Sequence, residues 1–217
     1  DAWVVGAGSR VVFAWFAHQE SPSLALLGWR RGLSMAGVVP DHLAALRSAG
    51  LRLIELGHQR IVMLLRESQR TAGPGASPRA IFREMETRGL PTSRFNLPDW
   101  EDTPEGFHRM LDELFRVTPP TALVVDHASL FIAAKDHLAL RGIMAPKHVS
   151  MVCIDPDPTF EWCQPTIAHI RWDHRPVVRR VVGWANNVAR GMEDRRQTLT
   201  KSEFVEGGTI GPVPART

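Results

Sequence analysis

Short uncharged apolar runs alternate along the chain with longer segments whose apolar residues follow helical spacing. The run at residues 61–65 is typical, because its five residues contain no charge. Runs of this kind favour strands that are buried on both faces of a parallel sheet. The pattern predicts strands at residues 3–6, 24–27, 61–65, 122–125, 149–154, 167–170 and 198–205.

The segments between these runs carry the signals that start and stop helices. Thr103, Pro104 and Glu105 form a helix start, since Thr can cap, Pro suits the first turn and Glu suits the positive end of the helix dipole. A Gly/Pro/Ser-rich stretch at 72–78 predicts a loop. Helices are predicted at 11–16, 41–56, 79–88, from 103 through Phe115, at 130–140 and at 176–189, with glycine stops at Gly57, Gly89, Gly142 and Gly191.

This alternation predicts an α/β protein with parallel sheets and helices on both faces. Ligands of such folds bind beyond the carboxyl ends of the strands. Three places in the sequence therefore attract attention: the turn from Gly6 to Ser9, the pair Asp126 and His127, and the segment from Asp155 to Asp157.

Composition limits the class of protein. The 217 residues fit one large domain or two smaller lobes, and no apolar run approaches the ~20 residues that cross a bilayer. The net charge is +3, and the basic residues are interspersed with acidic ones along the chain, so we do not expect this chain itself to bind DNA. Cys153 lies in an apolar run, and two cysteines make no disulfide framework, so free thiols in a reducing cytoplasm are expected.

Enzyme motifs are incomplete. The segment Gly6-Ala7-Gly8-Ser9 resembles the start of a dinucleotide fingerprint, but Val11 stands where the third glycine belongs, and a tight strand-to-helix turn is the alternative. Asp155 and Asp157 flank Pro156 and could hold a divalent ion, or simply form a strand-end turn. We predict no metal, no cofactor and no catalytic residue; a nucleotide-dependent oxidoreductase or a glycosyltransferase stays as an alternative.

Binding has more support in the sequence than catalysis. Trp100 lies in a polar segment before a helix, where it could stack on a sugar ring or pack against that helix. Asp126 and His127 follow a buried strand, where polar groups can bond ligand hydroxyls or lie in a solvated loop.

The order of segments resembles the effector-binding domain of the lactose-repressor/galactose-repressor (LacI/GalR) family, which is related to periplasmic sugar-binding proteins. The resemblance covers residues 41–210 well and 1–40 loosely. It is carried by the segments 53–61, 120–123, 142–152, 154–155, 165–173 and 204–209, which follow one another in the family's order.

The resemblance implies two Rossmann-like lobes, the first of them incomplete, with a carbohydrate-like effector in the cleft. By position, Asp155 matches the acid that bonds effector hydroxyls, and Trp100 matches a ring-stacking aromatic. His127 stands where the family usually has Asn, and the family's effector-binding Arg falls at Ser77, two residues from Arg79. Asp155 and His127 are thus predicted hydrogen-bond partners, with Asp126, Arg79 and Ser9 as further candidates.

The resemblance also implies an organisation and partners. We expect residues 1–58 and 173–193 in the N-terminal lobe, and 59–172 and 194–212 in the C-terminal lobe. A homodimer in the cytoplasm is expected, binding operator DNA through a LacI-type or GntR-type domain before Asp1. A solute-binding protein of a sugar transporter is the alternative with the same fold.

Overall fold

Strands and helices alternate through the computed structural model, which describes residues 1–6, 9–27, 32–70 and 76–213. The predicted α/β class with parallel sheets is confirmed. The described residues form two units, residues 1–41 with 172–202 and residues 42–171 with 203–217 apart from the masked positions. The elements are β1 (Trp3–Gly6), α1 (Arg10–Ala17), β2 (Ser23–Leu26), β3 (Ala36–Asp41), α2 (His42–Glu55), β4 (Ile61–Leu64), α3 (Glu67–Arg70), α4 (Ala76–Glu86), α5 (Pro104–Val117), β5 (Ala122–Val125), α6 (Ala128–Ala139), β6 (Ser150–Cys153), β7 (Ala168–Trp172), α7 (His174–Ala189) and β8 (Gln197–Val205), with 3-10 turns at Arg94–Asn96 and Pro158–Trp162.

The first unit is a parallel sheet in the order β1-β2-β3-β8, in which β8 pairs with β3 through residues 197–201. One core cluster joins Leu24 and Val38 of the sheet to Trp184 of α7. A second cluster joins Ala25 to Phe13 of α1. Because successive side chains of a strand point to opposite faces, α1 and α7 cover different faces of this sheet.

The second unit is a parallel sheet in the order β4-β5-β6-β7. Val62 and Leu64 join the cluster built with α5 and α6, whereas Ile61 and Met63 join the cluster built with α2 and α4. All four residues of β4 are fully buried, as the uncharged run predicted. The sheet is therefore covered on both faces, and its polar groups meet solvent at the ends of the strands.

Helix termini follow the chemistry of the sequence. Thr103 caps α5, since its hydroxyl accepts a hydrogen bond of 3.1 Å from the amide of Gly106, and Pro104 is the first helical residue. Gly57 ends α2 with a φ of 93°, a left-handed conformation that side chains disfavour.

The structure differs from the sequence prediction at several elements, and the short helix α3 is one that was not predicted. Strand β3 was not predicted, because Gly37 and Pro40 weaken the strand pattern. Helix α4 begins at Ala76, inside the predicted loop, since Pro78 is tolerated in a first helical turn; residues 71–75 of that loop lie outside the described residues. The division into units after Asp41 puts α2 in the second unit, and the lobe bounds that the resemblance implies stay a prediction.

Candidate ligand site at the carboxyl edge of the second sheet

Polar side chains follow three neighbouring strands of the second unit at the point where each strand ends. Arg66 comes two residues after β4, Asp126 and His127 follow β5, and Asp155 follows β6. The register pairs Leu64 with Val125 and Val125 with Cys153, so these strands end at the same level of a parallel sheet. The structure therefore brings together three of the predicted site residues, and it adds Arg66.

His127 lies between the two carboxylates. Its Nδ1 is 3.5 Å from Oδ2 of Asp155, and its Nε2 is 4.0 Å from Oδ2 of Asp126. The side chains of His127 and Asp155 are 48% and 44% exposed, whereas that of Asp126 is only 16% exposed. Within the described part of the chain, the buried Oδ2 of Asp126 has no hydrogen-bond partner. We call Arg66, Asp126, His127 and Asp155 the strand-end cluster.

The pKa values in the strand-end cluster shift for different reasons. The hydrogen bond to Asp155 raises the pKa of His127, and the charge of Asp126 acts in the same direction against desolvation. Burial raises the pKa of Asp126, while the charge of His127, the backbone amide of Arg66 and the guanidinium of Arg66 oppose that rise. Both shifts favour the protonated form of the group concerned.

Arg66 was missed by the sequence reasoning. It follows an uncharged strand at its carboxyl end, the same signal that drew attention to Asp126 and Asp155. Its Nε is buried and has no hydrogen-bond partner among the described residues. A search for polar residues just after every uncharged strand would therefore have found Arg66.

Trp100 packs against its neighbouring helix, which was one of its two sequence interpretations. The residue is only 8% exposed, and its ring lies 4.9 Å from the ring of Phe107 in α5. The guanidinium of the buried Arg70 lies 4.8 Å from the centre of the indole and donates a 2.6 Å hydrogen bond to the Trp100 carbonyl. Arg70 also forms an ion pair with Asp99. A stacking role for Trp100 stays a prediction.

A cavity of about 440 Å³ adjoins this tryptophan. Its lining is almost wholly acidic and consists of Glu67, Asp99, Trp100, Glu101 and Asp102. Asp99 pairs with Arg70, and Glu101 pairs with Arg109. The surroundings of Trp100 thus carry negative charge, in a chain whose net charge is positive.

Comparison with known proteins assigns the fold to a family. The model of the periplasmic binding protein-like domain matches residues 51–210, about three quarters of the chain. The chain belongs to this family. A search of curated protein sequences finds no match.

Solved structures of LacI-family regulators share the fold of this periplasmic binding protein-like domain. One is a LacI family transcriptional regulator from Enterococcus faecium with bound ribose, at 16% identity and a TM-score of 0.80, with 98% of this chain and 80% of that chain covered. A LacI-family regulatory protein from Chloroflexus aggregans has 22% identity and a TM-score of 0.78, over 97% and 77% of the two chains. The lac repressor dimer bound to operator and the anti-inducer ONPF has 15% identity and a TM-score of 0.78, over 97% and 73%.

Two further predicted contacts belong to other elements. Arg79 is exposed on α4, the helix that packs with α2. Ser9 is exposed and caps α1, accepting a 3.4 Å hydrogen bond from the amide of Val12. Their roles in ligand binding stay predictions, and Ala7 and Gly8 of the Gly6–Ser9 turn lie outside the described residues.

Asp157 has a local structural role in this domain. Its carboxylate accepts hydrogen bonds from the amide and the hydroxyl of Thr159, at 2.8 and 2.6 Å, and caps the 3-10 turn that follows. Across residues 1–6, 9–27, 32–70 and 76–213, no three His, Cys, Asp or Glu side chains are placed to hold a metal ion. The alternative of a strand-end turn thus describes Asp157.

Two further sequence interpretations concern cysteines and membranes. Cys153 is a buried free thiol, as expected, and burial raises its pKa to about 12. Cys163 is also free. None of the described helices combines the length and the apolar character that a bilayer span needs.

Proposed function

We propose that this chain is the effector-sensing domain of a bacterial transcriptional regulator and that its effector is a small carbohydrate-like molecule bound at the strand-end cluster. The observation that carries the proposal is the placement of Asp126, His127 and Asp155 beyond the carboxyl ends of adjacent parallel strands in a periplasmic binding protein-like domain. This is the edge at which open α/β sheets bind ligands.

The chemistry of the cluster suits a polyhydroxylated ligand. Ionised Asp126 and Asp155 accept hydrogen bonds only, so each needs a donor such as a sugar hydroxyl. His127 can donate or accept according to its tautomer and charge. Asp155, whose side chain is 44% exposed, offers its carboxylate to a ligand hydroxyl at this edge of the sheet.

The similar proteins support a regulatory role. The Enterococcus faecium regulator holds ribose, and the lac repressor dimer is bound to operator and ONPF. By analogy, this chain would form a homodimer in the cytoplasm and act on operator DNA through a separate DNA-binding domain of the full-length protein. The effector would favour one conformation of the sensing domain through its differential affinity, and so change operator binding. This role is sensing rather than catalysis.

A thermal-shift panel of neutral monosaccharides and disaccharides tests the ligand class. A sugar that binds only the folded state must raise the melting temperature. We expect at least one sugar to do so in the wild type, and we expect the shift to disappear in Asp155→Ala. Asp136→Asn is the control, because Asp136 is exposed on α6. The absence of a shift with every sugar would contradict the carbohydrate assignment.

Operator binding by the full-length protein tests the regulatory role. We expect the sugar identified by thermal shift to change the affinity for DNA upstream of the protein's own gene, and the change to be lost with Asp155→Ala. A solute-binding protein would instead bind the sugar without any effect on DNA, which would overturn the regulatory proposal.

A further inference from the structure

His127 is the titratable side chain that the two carboxylates of the strand-end cluster share. Its Nδ1 lies 3.5 Å from Oδ2 of Asp155, and its Nε2 lies 4.0 Å from Oδ2 of Asp126. Each ring nitrogen thus has a carboxylate oxygen as a neighbour. A neutral imidazole carries a hydrogen on only one of its nitrogens, whereas the protonated ring carries one on both. The protonated ring is therefore the form that suits both carboxylates at once.

The charges around His127 act on its protonation in opposite directions. Asp155 and Asp126 favour the protonated ring, whereas Arg66 and desolvation oppose it. His127 is also the N-cap residue of α6, where the positive end of the helix dipole disfavours a cation. The carboxylates outweigh these effects, because the pKa of His127 is raised from its ordinary value of 6.5. His127 therefore takes up and releases its proton above the ordinary range of a histidine.

Other titratable groups at these strand ends have contacts of their own. The carboxylate of Asp157 caps the 3-10 turn that follows it. The ring of His169 in β7 packs against that of Phe160, with 5.3 Å between the ring centres. Glu67, at the start of α3, lines the acidic cavity beside the tryptophan. The three other charges of the strand-end cluster therefore remain the main ones that act on its histidine.

A neutral sugar over the cluster would favour one of the two forms of His127. With both acids ionised, the protonated histidine and Arg66 balance the two carboxylates, whereas the neutral histidine leaves one negative charge in excess. The side chains of His127 and Asp155 are about half exposed, so a sugar that covers them displaces water and strengthens the attraction between their charges. Covering balanced charges costs less than covering an excess charge. The protonated cluster is therefore the better partner for an uncharged ligand.

We propose that effector binding at the strand-end cluster is coupled to the uptake of a proton by His127, which positions Asp155 for a ligand hydroxyl. This inference rests on the proposed function and concerns the regulation of the same site. The protonated ring donates from Nδ1 to one oxygen of Asp155, and the carboxylate has a second oxygen for the ligand. The affinity for a neutral sugar is then highest while His127 is protonated, and it falls as the pH rises through the pKa of His127 in the free protein.

The pH dependence of sugar affinity tests the coupling. The probe is the sugar with the largest thermal shift among D-ribose, D-glucose, D-galactose and maltose, titrated calorimetrically at pH 6.0, 7.0, 8.0 and 8.5. We expect a dissociation constant about fivefold or more weaker at pH 8.5 than at pH 6.0, which is the lower end of the usual coupling between two sites. The melting temperature at each pH checks that the protein stays folded.

The proton itself can be counted in the same titration. At pH 7.5, the binding enthalpy is measured in PIPES, HEPES and Tris, whose ionisation enthalpies differ. Its slope against the ionisation enthalpy of the buffer gives the number of protons that the protein takes up on binding. We expect uptake of a fraction of one proton in the wild type. A slope of zero, or proton release, would overturn the coupling.

His127→Asn assigns the proton to its residue. Asparagine does not titrate, and it is a favoured N-cap residue, so α6 and the fold should be retained. We expect the sugar affinity of this variant to be nearly independent of pH, without proton uptake. His18→Gln is the control, since it removes an exposed histidine of the first unit, and it should behave as the wild type does. An undiminished pH dependence in His127→Asn would overturn the role of His127.

Two outcomes distinguish this inference from the proposed function. Sugar binding that does not change with pH overturns the coupling and leaves carbohydrate sensing in place. The absence of binding by every sugar at every pH overturns the coupling too, and it also contradicts the carbohydrate assignment of the proposed function.

Discussion

His58 is a buried histidine that the folded protein holds without a charge. It is fully buried, and its Nε2 lies 2.9 Å from the carbonyl oxygen of Gly211. Desolvation lowers its pKa, and the backbone contact with Gly211 opposes that shift only in part. In the unfolded chain the same side chain titrates near its ordinary pKa of about 6.5.

Acidification should therefore destabilise the protein through His58. Below about pH 6.5 the unfolded state binds a proton at His58 that the folded state does not bind. The contribution of His58 to the free energy of unfolding is therefore complete above about pH 6.5 and declines as the pH falls from that value toward the folded-state pKa. His58→Gln removes this proton uptake. Urea unfolding at pH 7.5 and 5.5 should show a smaller pH-dependent loss in His58→Gln than in the wild type.

The exposed His18 provides the control for this measurement, because His18→Gln leaves the buried histidine in place. An equal loss of stability in all three proteins would contradict the account of His58.

At the residue scale, the sequence predicted the polar groups at strand ends but left two interpretations of Trp100 open. Asp126, His127 and Asp155 follow uncharged strands, and the ends of parallel strands meet at one edge, so their proximity follows from the pattern. The indole of Trp100 also contacts Arg70, which is 30 positions away in the chain. No local pattern brings that pair together.

Thr103 shows how a helix start controls an element. Its hydroxyl caps α5, whose buried face includes Phe107, Met110, Leu111 and Leu114. Thr103→Ala should lower the free energy of unfolding by about 1 kcal/mol, the usual cost of a lost N-cap. Thr103→Ser keeps the hydroxyl and should retain most of the stability. Urea unfolding of both variants checks this, and an equal loss in the two would show that capping is not the cause.

A buried ion pair holds the end of α7. Arg180 and Asp194 are 5% and 8% exposed, and the guanidinium donates to both carboxylate oxygens at 2.9 and 2.8 Å. Asn187 and the amide of Arg196 donate to the same carboxylate. The segment after α7 is therefore held against the helix by a network in which the Asp194 carboxylate accepts all of these hydrogen bonds.

Breaking this network should cost far more than breaking an exposed pair. Asp194→Asn leaves the Arg180 charge buried without its partner, and a loss of about 3 kcal/mol in unfolding free energy is expected. Glu203→Gln is the matched control, since Glu203 pairs with Arg171 at the surface and its loss should cost less than about 1 kcal/mol. Chemical denaturation of both variants measures the difference, and similar losses would contradict the buried-network interpretation.

At the element scale, the prediction was right where the sequence contains local signals that start or end a helix. The Thr103–Pro104 start and the glycine stops fix their helices locally. Strand β3 escaped prediction because Gly37 and Pro40 are poor strand residues, yet β2 on one side and β8 on the other supply its partners. Pairing with distant strands overrode the local preference, which a linear pattern does not contain.

At the scale of the whole molecule, the grouping of elements into units depends on long-range packing. Helix α2 joins the second unit because it packs against α4, through the Ala49 and Leu53 side of the helix and an ion pair between Arg47 and Glu84. The chain order alone placed α2 with the strands that precede it. The helix has an apolar face in either grouping, so the sequence pattern could not choose between them.

Net charge is also a whole-molecule property that misleads about the site. The chain carries +3 overall, yet the cavity beside Trp100 is lined by acidic residues. Local charge decides which ligand is attracted over the few ångströms of a contact, because salt screens the remaining surface within about 10 Å. The positive total therefore gives no reason to expect an anionic effector.

The central claim is that a sugar-type effector binds at the strand-end cluster of the second unit. Titration calorimetry of the best sugar from the thermal-shift panel, on the wild type, Asp155→Ala, His127→Ala and the control Asp136→Asn, tests it most directly. We predict a dissociation constant at least about tenfold weaker in Asp155→Ala and in His127→Ala, as the loss of a charged hydrogen-bond partner implies, and no change in the control. Unchanged affinity in both cluster variants would contradict the account.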